Sequence, residues 1–500
     1  MAEDSESNEN KDVKIKEVRG AIDAKGNEDY LVVCIGAFGA WQAKVCILVC
    51  VARFMVMWNW MFIIFLTYDS EFICTSFNAT IPENVTESTC YDGCTKYEFA
   101  EGLFTTSFVA EFELICERAW MANMVQSMMM FGFLFGVFLF GWISDRYGRR
   151  IALMLSSFIN VVLMVASPFS PNYWLYASLR FFIGVASGGV LVVAIVVILE
   201  VVGPQYREIA AACAKLPDGI GEASLCAFAY FSPTWRVYAL SIGIVSILIL
   251  ASLALVPETP RWLMTNGQLD AMRKLMVYAA KCNSLDAATA KENINNNIKQ
   301  TVPSVTKKNV QYYDLFRTMK MSLRTLAMFF IWTVGGLSYF GINQYVSFLG
   351  PSVYISVIIL GLIQIPACFV GMWLNKAAGR KTSTIGILAM IGLTMFLLIF
   401  VPPDHWSAIV LGVAGMSAST MIFSVVYLYT SELYPTEIRN MSFGICTAGA
   451  KIGATVAPFI ATLSPHWVPT LVFAALPILA ACICFILPET KGRNFQDHLD

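Results

Sequence analysis

Four charged residues lie near the middle of long apolar segments of the chain, where an isolated charge is unfavourable. They are Lys215, Asp218, Glu222 and Lys451. A charge at the centre of a membrane span costs about 2.5–3.5 kcal/mol, so it is retained where it pairs or faces water. The first three are spaced i, i+3 and i+7 and share one helix face. An acid on that face could neutralise Lys215, whereas Lys451 has no acid within one helical turn and needs a partner elsewhere or a charged ligand.

Aromatic residues of the apolar run 324–347 are the second group of candidates. Aromatic faces can hold the cationic or apolar parts of a small molecule, and glycines in the same run allow the helix to bend. The alternative is that these rings face lipid or pack in the interior. The candidates for ligand contact are Trp332, Tyr339, Phe340 and Tyr345.

Patterns that support catalysis or metal binding are missing from the sequence. The three histidines, His405, His466 and His498, form no H-x-x-H or E-x-x-H pair, so we expect no zinc site. No G-x-x-x-x-G-K-[ST] phosphate loop occurs, so ATP-driven chemistry is not expected. The sequence therefore predicts a protein that is not an enzyme and needs no cofactor.

Composition determines where the charged groups must be placed. Of 500 residues, 57% are apolar and 14% are charged, against about 25% in soluble proteins. These values exclude a soluble enzyme, a nucleic-acid binder and a disordered chain. The apolar runs are too long for barrel strands, so we predict an all-α membrane protein with twelve transmembrane helices. The spans are 43–66, 121–143, 151–169, 173–200, 208–231, 235–256, 324–347, 350–374, 382–401, 404–430, 441–463 and 467–487.

Lysine and arginine positions orient these spans. Of the 34 such residues, 26 lie in loops on the side of the two termini and three lie in loops on the opposite side. Positively charged loops remain in the cytosol, so both termini are expected there. The predicted divisions are a tail 1–42, a six-helix half 43–256, a cytosolic loop 257–323, a six-helix half 324–487 and a tail 488–500.

The long loop 67–120 lies on the outer side in this topology. It contains the sequons of Asn78 and Asn84, which predict glycosylation. Its four cysteines predict two disulfides in an oxidising compartment, with three connectivities open and free thiols as the alternative. These cysteines are Cys74, Cys90, Cys94 and Cys116.

The two halves repeat each other at an offset of 230–232 residues. The segment 141–150 matches 371–381, and 257–259 matches 488–490. A glutamate followed seven residues later by an arginine also occurs in both halves. The sequence thus predicts two parallel six-helix units, with a ligand site between them near the middle of the membrane.

Charged residues of the repeated segments fall on the cytosolic side. Positive charge retained for orientation would explain the arginines alone, whereas the accompanying acids predict ion pairs that form in one conformation and break in another. The segment 371–381 lacks an acid, so its contacts should be weaker or differently partnered. The predicted gating residues are Asp145, Arg146, Arg149, Arg150, Glu200, Arg207, Glu258, Arg261, Arg380, Glu432 and Arg439.

These motifs resemble a known family. The segment 141–150 is similar to the loop signature of the major facilitator superfamily, and 257–263, 432–439 and 487–492 resemble its branch of sugar porters and organic ion transporters. The cysteine-bearing outer loop and the segment 112–116 resemble the organic ion transporters. Arg180, followed by glycines, resembles the family's arginine-glycine helix motif, which implies a gating role. The resemblance covers about residues 30–495.

The resemblance implies alternating access of a small organic ion at the plasma membrane, with Na+ or H+ as a candidate coupling ion and no nucleic-acid partner. In the family's cation carriers the positions resembling Lys451 and Gln364 usually carry acids, so we expect an anion or a carnitine-like or amino-acid-like zwitterion. Asp218 and Glu222 could still hold an ammonium group. The alternatives are an organic cation transporter, a sugar-type uniporter, and a transporter-like sensor or vesicle glycoprotein that moves nothing.

Overall fold

The computed structural model describes residues 30–68, 71–77, 86, 88–91, 94–100, 102–285, 312–349, 352–402, 405–434, 438–465 and 467–491. Within these ranges, eleven helices are long and apolar enough to span a membrane. They are α2 (Ala40–Leu66), α4 (Ala119–Tyr147), α5 (Arg149–Ala166), α6 (Tyr173–Val201), α9 (Trp235–Leu253), α12 (Met319–Ser347), α13 (Val353–Ala378), α14 (Arg380–Leu398), α15 (Trp406–Leu433), α16 (Arg439–Ala461) and α17 (Trp467–Cys484).

The remaining described elements are short. They are α1 (Tyr30–Ile35), β1 (Phe72–Phe77), β2 (Cys94–Phe99), α3 (Phe108–Glu111), α7 (Arg207–Cys213), α8 (Leu216–Phe231), α10 (Pro260–Thr265) and α11 (Leu269–Cys282). Side-chain caps fix several helix starts: the Thr234 hydroxyl accepts the Val237 N–H at the start of α9, and Thr318 does the same for Met321 at the start of α12.

The predicted continuous span 208–231 is wrong, because the chain forms two helices there. α7 ends at Cys213 and α8 begins at Leu216. Pro217 explains the break, since its ring would clash with the carbonyl four residues earlier and it cannot donate a hydrogen bond. Proline is well tolerated in the first turn of a helix, which is where α8 places it. Lys215 therefore lies at the break rather than inside a helix.

The outer loop contains a two-stranded antiparallel sheet in which β1 pairs with β2. Disulfides join Cys74 to Cys94 and Cys90 to Cys116, which confirms that all four cysteines are bonded and settles the connectivity. The other ten cysteines take part in no disulfide in the described part of the chain. The predicted glycosylation sites Asn78 and Asn84 lie outside the described residues.

The chain divides into two compact units. The first has 30–47, 197–211 and 257–285 as its described parts and includes α1, α10 and α11. Asn283 holds this unit together: its Nδ2 donates to the carbonyl of Ile35 and to Oε1 of Gln42, both at 2.8 Å, and its Oδ1 accepts the N–H of Trp41 at 2.8 Å.

The second unit is the helix bundle, and its described parts lie within 48–196, 212–256 and 312–491. Here α12 packs along α16, α13 packs on α8, and α16 packs on α4. These contacts surround the middle of α12, which is buried along most of its length from Ile331 to Ser347. The predicted division at 257–323 stays a prediction.

Candidate functional site

Glu222 on α8 is fully buried, and its carboxylate accepts hydrogen bonds from α12 and α13. Asn343 Nδ2 on α12 donates to its Oε1 at 2.8 Å, and Gln364 Nε2 on α13 donates to its Oε2 at 2.5 Å. The Tyr339 hydroxyl donates to Gln364 Oε1 at 2.7 Å. The structure therefore brings together the predicted residues Glu222, Gln364 and Tyr339, and it adds Asn343.

A close helix contact makes this geometry possible. Gly219 lies three residues before Glu222 on α8, and Gly361 lies three residues before Gln364 on α13. A Cβ atom on Gly219 would lie 2.5 Å from the carbonyl oxygen of Gly361, so no other residue fits at this approach. The two side chains one turn further along are thereby brought within hydrogen-bonding distance.

Asp218 pairs with Arg53 on α2 and not with Lys215. Arg53 Nη2 lies 2.5 Å from Asp218 Oδ2, and Arg53 Nε donates to Oδ1 at 3.1 Å. Lys215 Nζ instead lies 5.8 Å from the ring centroid of Tyr427. The intrahelical pair considered for Lys215 is thus wrong, and no carboxylate pairs with this ammonium group among the residues that the structure describes.

Lys451 on α16 is buried among aromatic rings. Its Nζ lies 4.1 Å from the ring centroid of Phe133, 4.4 Å from that of Trp60 and 5.4 Å from that of Phe340. These distances are within the range of cation–π attraction. No carboxylate forms an ion pair with Lys451 in the described part of the chain. We call Trp60, Phe133 and Phe340 the aromatic box.

Two other predicted aromatic residues lie away from this box. The Trp332 indole N–H donates to Thr430 Oγ1 at 3.1 Å, and its ring contacts Tyr427 with centroids 4.6 Å apart. Trp332 is therefore placed near Lys215 through Tyr427. Tyr345 is buried on α12, two residues beyond Asn343.

Arg180 on α6 is fully buried. Its Nη2 donates to the carbonyl of Asn59 on α2 at 3.0 Å, and its guanidinium carbon lies 4.9 Å from the Phe62 ring centroid. Asn59 Nδ2 also donates to Asn160 Oδ1 on α5 at 3.2 Å. Arg180 thus braces α2, α5 and α6 in a polar network.

Four of the predicted gating residues in the first half lie at the loop between α4 and α5. Arg149 Nη1 lies 2.7 Å from Asp145 Oδ1, although the Asp145 side chain is 78% exposed. Arg150 Nη2 donates to the carbonyl of Ala254 at 3.0 Å. The guanidinium group of Arg146 lies 5.6 Å from the ring centroid of Trp142.

The other predicted gating residues of the first half lie in the first compact unit. The Thr259 hydroxyl donates to Glu200 Oε2 at 2.5 Å, and Arg261 Nε donates to the Glu200 carbonyl at 3.2 Å. Glu258 accepts the Thr259 N–H at 3.0 Å. Arg207 is the first residue of α7.

The second half repeats this arrangement in atomic detail. The Thr490 hydroxyl donates to Glu432 Oε2 at 2.6 Å, and Arg380 Nη2 lies 2.7 Å from Glu432 Oε1. Glu489 accepts the N–H of Arg380 at 3.0 Å. Arg380, in the loop that lacks an acid, therefore pairs with an acid near the end of α15. Arg439, the remaining predicted gating residue of the second half, begins α16.

Sequence reasoning missed three residues that contact Lys451 or Glu222: Trp60, Phe133 and Asn343. Trp60 and Phe133 are ordinary apolar residues of their spans, and no spacing rule links them to residue 451. Arg53 was not among the predicted site residues, although a search for acids at similar depth would have offered Asp218 as its partner.

Comparison with known proteins assigns the chain to a family. The family model described as Sugar (and other) transporter matches residues 45–498. Solute carrier family 22 member 3 of Mus musculus is 31% identical over 391 residues, which cover 77% of this chain and 70% of the relative. This chain belongs to solute carrier family 22.

Two further matches support the family and the fold. The organic cation transporter protein of Drosophila melanogaster is 27% identical over 447 residues, covering 87% of this chain and 80% of the relative. The solved inward-open xylose transporter of E. coli matches with a TM-score of 0.67 and 18% identity, over 91% of this chain and 98% of that chain. As a member of solute carrier family 22, the chain is a multi-pass membrane transporter with the major facilitator fold, and not an enzyme.

Proposed function

We propose that this chain moves small organic carboxylates, either anions or zwitterions, across the membrane by alternating access. The supporting observation is the unpaired ammonium group of Lys451 inside the aromatic box. Carboxylates are its natural counter-ions, and the three rings can contact the apolar part of the same molecule.

The balance of charge supports an anionic ligand group. Five charged side chains lie around Glu222 and Lys451 or on the same helix face: Arg53, Lys215, Asp218, Glu222 and Lys451. Arg53 and Asp218 neutralise each other. Among the described residues, Lys215 and Lys451 have no carboxylate partner, and Glu222 has no cation partner. A substrate that brings negative charge therefore improves the balance, and one that brings only positive charge worsens it.

Glu222 modifies the argument made from Gln364. The acid that cation carriers of this family tend to have at the position of Gln364 is replaced here by Glu222, 2.5 Å away on the neighbouring helix. Negative charge is therefore retained at this place. Lys451 contacts Phe340 and Glu222 contacts Asn343, which are separated by one turn of α12, about 4.5 Å along its axis.

A cation is the second candidate, because Glu222 and the aromatic rings could hold an ammonium group once Lys451 moves aside. The Drosophila relative is named for organic cations, which favours this alternative. A sugar or a non-transporting role is less well supported, since neither requires unpaired charges at this depth.

The contacts at the loop ends support a gating role. Asp145 with Arg149, and Arg380 with Glu432, join segments that precede or follow neighbouring spans. Ion pairs in such places bias the equilibrium between conformations without contacting the substrate. Arg180 would act on the same equilibrium through the packing of α2, α5 and α6.

The orientation of the chain is part of the proposal. The excess of basic loops supports an orientation with both termini in the cytosol and with the disulfide-bonded loop outside, and the family resemblance supports the plasma membrane. Glycans on Asn78 and Asn84 should then add to the apparent mass. Enzymatic deglycosylation should reduce that mass in the wild type, and an unchanged mobility would contradict this orientation.

Uptake by cells that express the chain tests the substrate class. A labelled panel should include an organic anion, a zwitterion such as carnitine, and tetraethylammonium, which is a permanent cation without an acid. We expect saturable uptake of at least one carboxylate. Faster transport of tetraethylammonium than of every carboxylate would overturn the proposal in favour of a cation carrier, and no saturable uptake would favour the sensor.

A further inference from the structure

Glu222 is a fully buried carboxylate that no cation neutralises within the described residues. Its two oxygens accept hydrogen bonds from neutral amides only. A buried charge with no counter-charge is unfavourable even when it is hydrogen-bonded. The titratable or charged groups around it and its close neighbours are Asp218 and Cys226 on α8, Arg53 on α2, Tyr238 on α9, Tyr339 on α12 and Tyr354 on α13.

Asn343 provides a second, independent observation. Its Oδ1 is buried and has no hydrogen-bond partner, although its Nδ2 donates to Glu222. A protonated Glu222 would have a hydroxyl to donate, and a half-turn of the Asn343 amide would present Oδ1 to accept it. The same two side chains can therefore satisfy the ionised form and the protonated form of Glu222.

Lys451 and Glu222 lie beside the same part of α12, because Lys451 contacts Phe340 and Glu222 contacts Asn343. A substrate carboxylate bound at Lys451 therefore brings a second carboxylate near Glu222. Like charges in a buried site disfavour each other's ionised form, and one proton on Glu222 removes that repulsion.

We propose that Glu222 takes up one proton with each carboxylate substrate, so that the chain works as a proton–carboxylate symporter. The proton forms an O–H bond with a Glu222 oxygen on the outer side and is released to the cytosol, and no other covalent bond changes. The empty form and the doubly loaded form carry the same net charge and reorient, whereas a form that carries only one ligand differs from them by one buried charge and does not. This inference rests on the proposed function, with Lys451 as the carboxylate site.

Proton movement in proteoliposomes tests the proposal directly. Purified protein is reconstituted with a pH-sensitive dye inside the vesicles, and the carboxylate found in the uptake panel is added outside. We expect substrate-dependent acidification of the lumen, with one proton per carboxylate, and faster uptake when the outside is more acidic. A sodium gradient should not replace the proton gradient.

Glu222→Gln separates the coupling from the binding. In this variant residue 222 stays neutral, as protonated Glu222 is, so only the substrate-loaded form has the net charge of a form that reorients. Net uptake and lumen acidification should therefore fall far more than the exchange of labelled for unlabelled carboxylate. Glu98→Gln, an exposed residue of β2, is the matched control and should behave as the wild type.

Several outcomes would overturn the inference and leave the proposed function standing. They are carboxylate uptake by the wild type without lumen acidification, uptake driven by sodium alone, and a Glu222→Gln variant that loses only zwitterions while still moving protons. If Glu222→Gln does not fold, the wild-type proton measurement decides. Absence of carboxylate uptake altogether would instead contradict the proposed function.

Discussion

The charged groups at the centre of the bundle differ from those at its loop ends in what they bond to. In the bundle, Lys451 contacts aromatic rings and Glu222 contacts amides, and neither has a counter-charge among the described residues. At the loop ends, by contrast, Arg149 pairs with Asp145 and Arg380 pairs with Glu432.

This difference suggests a division of labour. Charges that lack counter-charges are held by neighbours that a ligand can supplement, so they are suited to binding. Charges that already pair with each other gain nothing from a ligand, but their pairing depends on how neighbouring segments are arranged. The first group should control affinity and coupling, and the second group should control rate.

The largest effect is expected from Lys451→Ala. It removes the counter-ion of the substrate carboxylate and should abolish carboxylate-dependent uptake, a loss of more than about 100-fold. Lys451→Arg preserves the charge and should retain part of the activity. The measurement is initial uptake rate with surface expression controlled, and near-normal uptake by the alanine variant would remove Lys451 from the site.

Arg380→Ala and Glu432→Gln should act on rate. Their ion pair is largely shielded, with side chains 18% and 13% exposed, so its loss should shift the conformational equilibrium. We expect a fall of about tenfold in maximal rate with substrate affinity changed by less than about twofold. The double variant should be no slower than either single variant. The control is Arg273→Ala, because the Arg273 side chain on α11 is exposed. A selective loss of affinity would contradict the division.

Asp145→Asn and Arg149→Ala should have the same signature at smaller size. Asp145 is 78% exposed, so water screens its attraction to Arg149. Turnover should slow by a few-fold while ligand affinity is nearly unchanged. Normal maximal rates in both variants would show that the first-half pair has no gating role, and an effect larger than that of Arg380→Ala would reverse the ranking of the two loops.

The smallest effect concerns an ion pair outside the membrane, between Glu111 and Arg236. Partial burial raises the pKa of Glu111, but hydrogen bonds from Arg236 and Trp235 lower it more, so the net pKa lies below its ordinary value. The stabilisation is therefore complete above the unfolded pKa of about 4.3 and is lost as the pH falls through the folded pKa.

Thermal unfolding in detergent between about pH 6 and pH 3 measures this contribution. The wild type should lose more stability over that interval than Glu111→Gln, which cannot titrate. Glu117→Gln, on an exposed neighbour, should follow the wild type. Parallel curves for the wild type and Glu111→Gln would show that this pair does not contribute.

The fold was predictable because length, apolarity and basic loops constrain membrane helices strongly. The break at Lys215 was also within reach, since Pro217 disfavours a continuous helix there. Lys451 was recognised as a buried charge from its surroundings in the sequence. Its aromatic box was not, because Trp60 and Phe133 come from distant parts of the chain and resemble any other lining residue.

Pairings between distant residues were the least predictable. By charge alone, Asp218 could have paired with Lys215 on its own helix face. It pairs instead with Arg53, 165 residues away, because α2 packs beside α8. The pairing of Arg380 with Glu432 was hidden for the same reason, because the loop sequence contains no acid.

The contact between Gly219 and Gly361 has a mechanical consequence. Side chains that interlock across a helix interface must change rotamer before the helices can move past each other. At this contact backbone meets backbone, with the side chains of Ile365 and Ala223 beside it, so few side chains obstruct rolling or sliding of α8 against α13. It lies one turn from Glu222 and Gln364 and joins a helix of the first repeat to one of the second, so it can serve as a fulcrum that keeps the coupling group at the centre of the rocking motion.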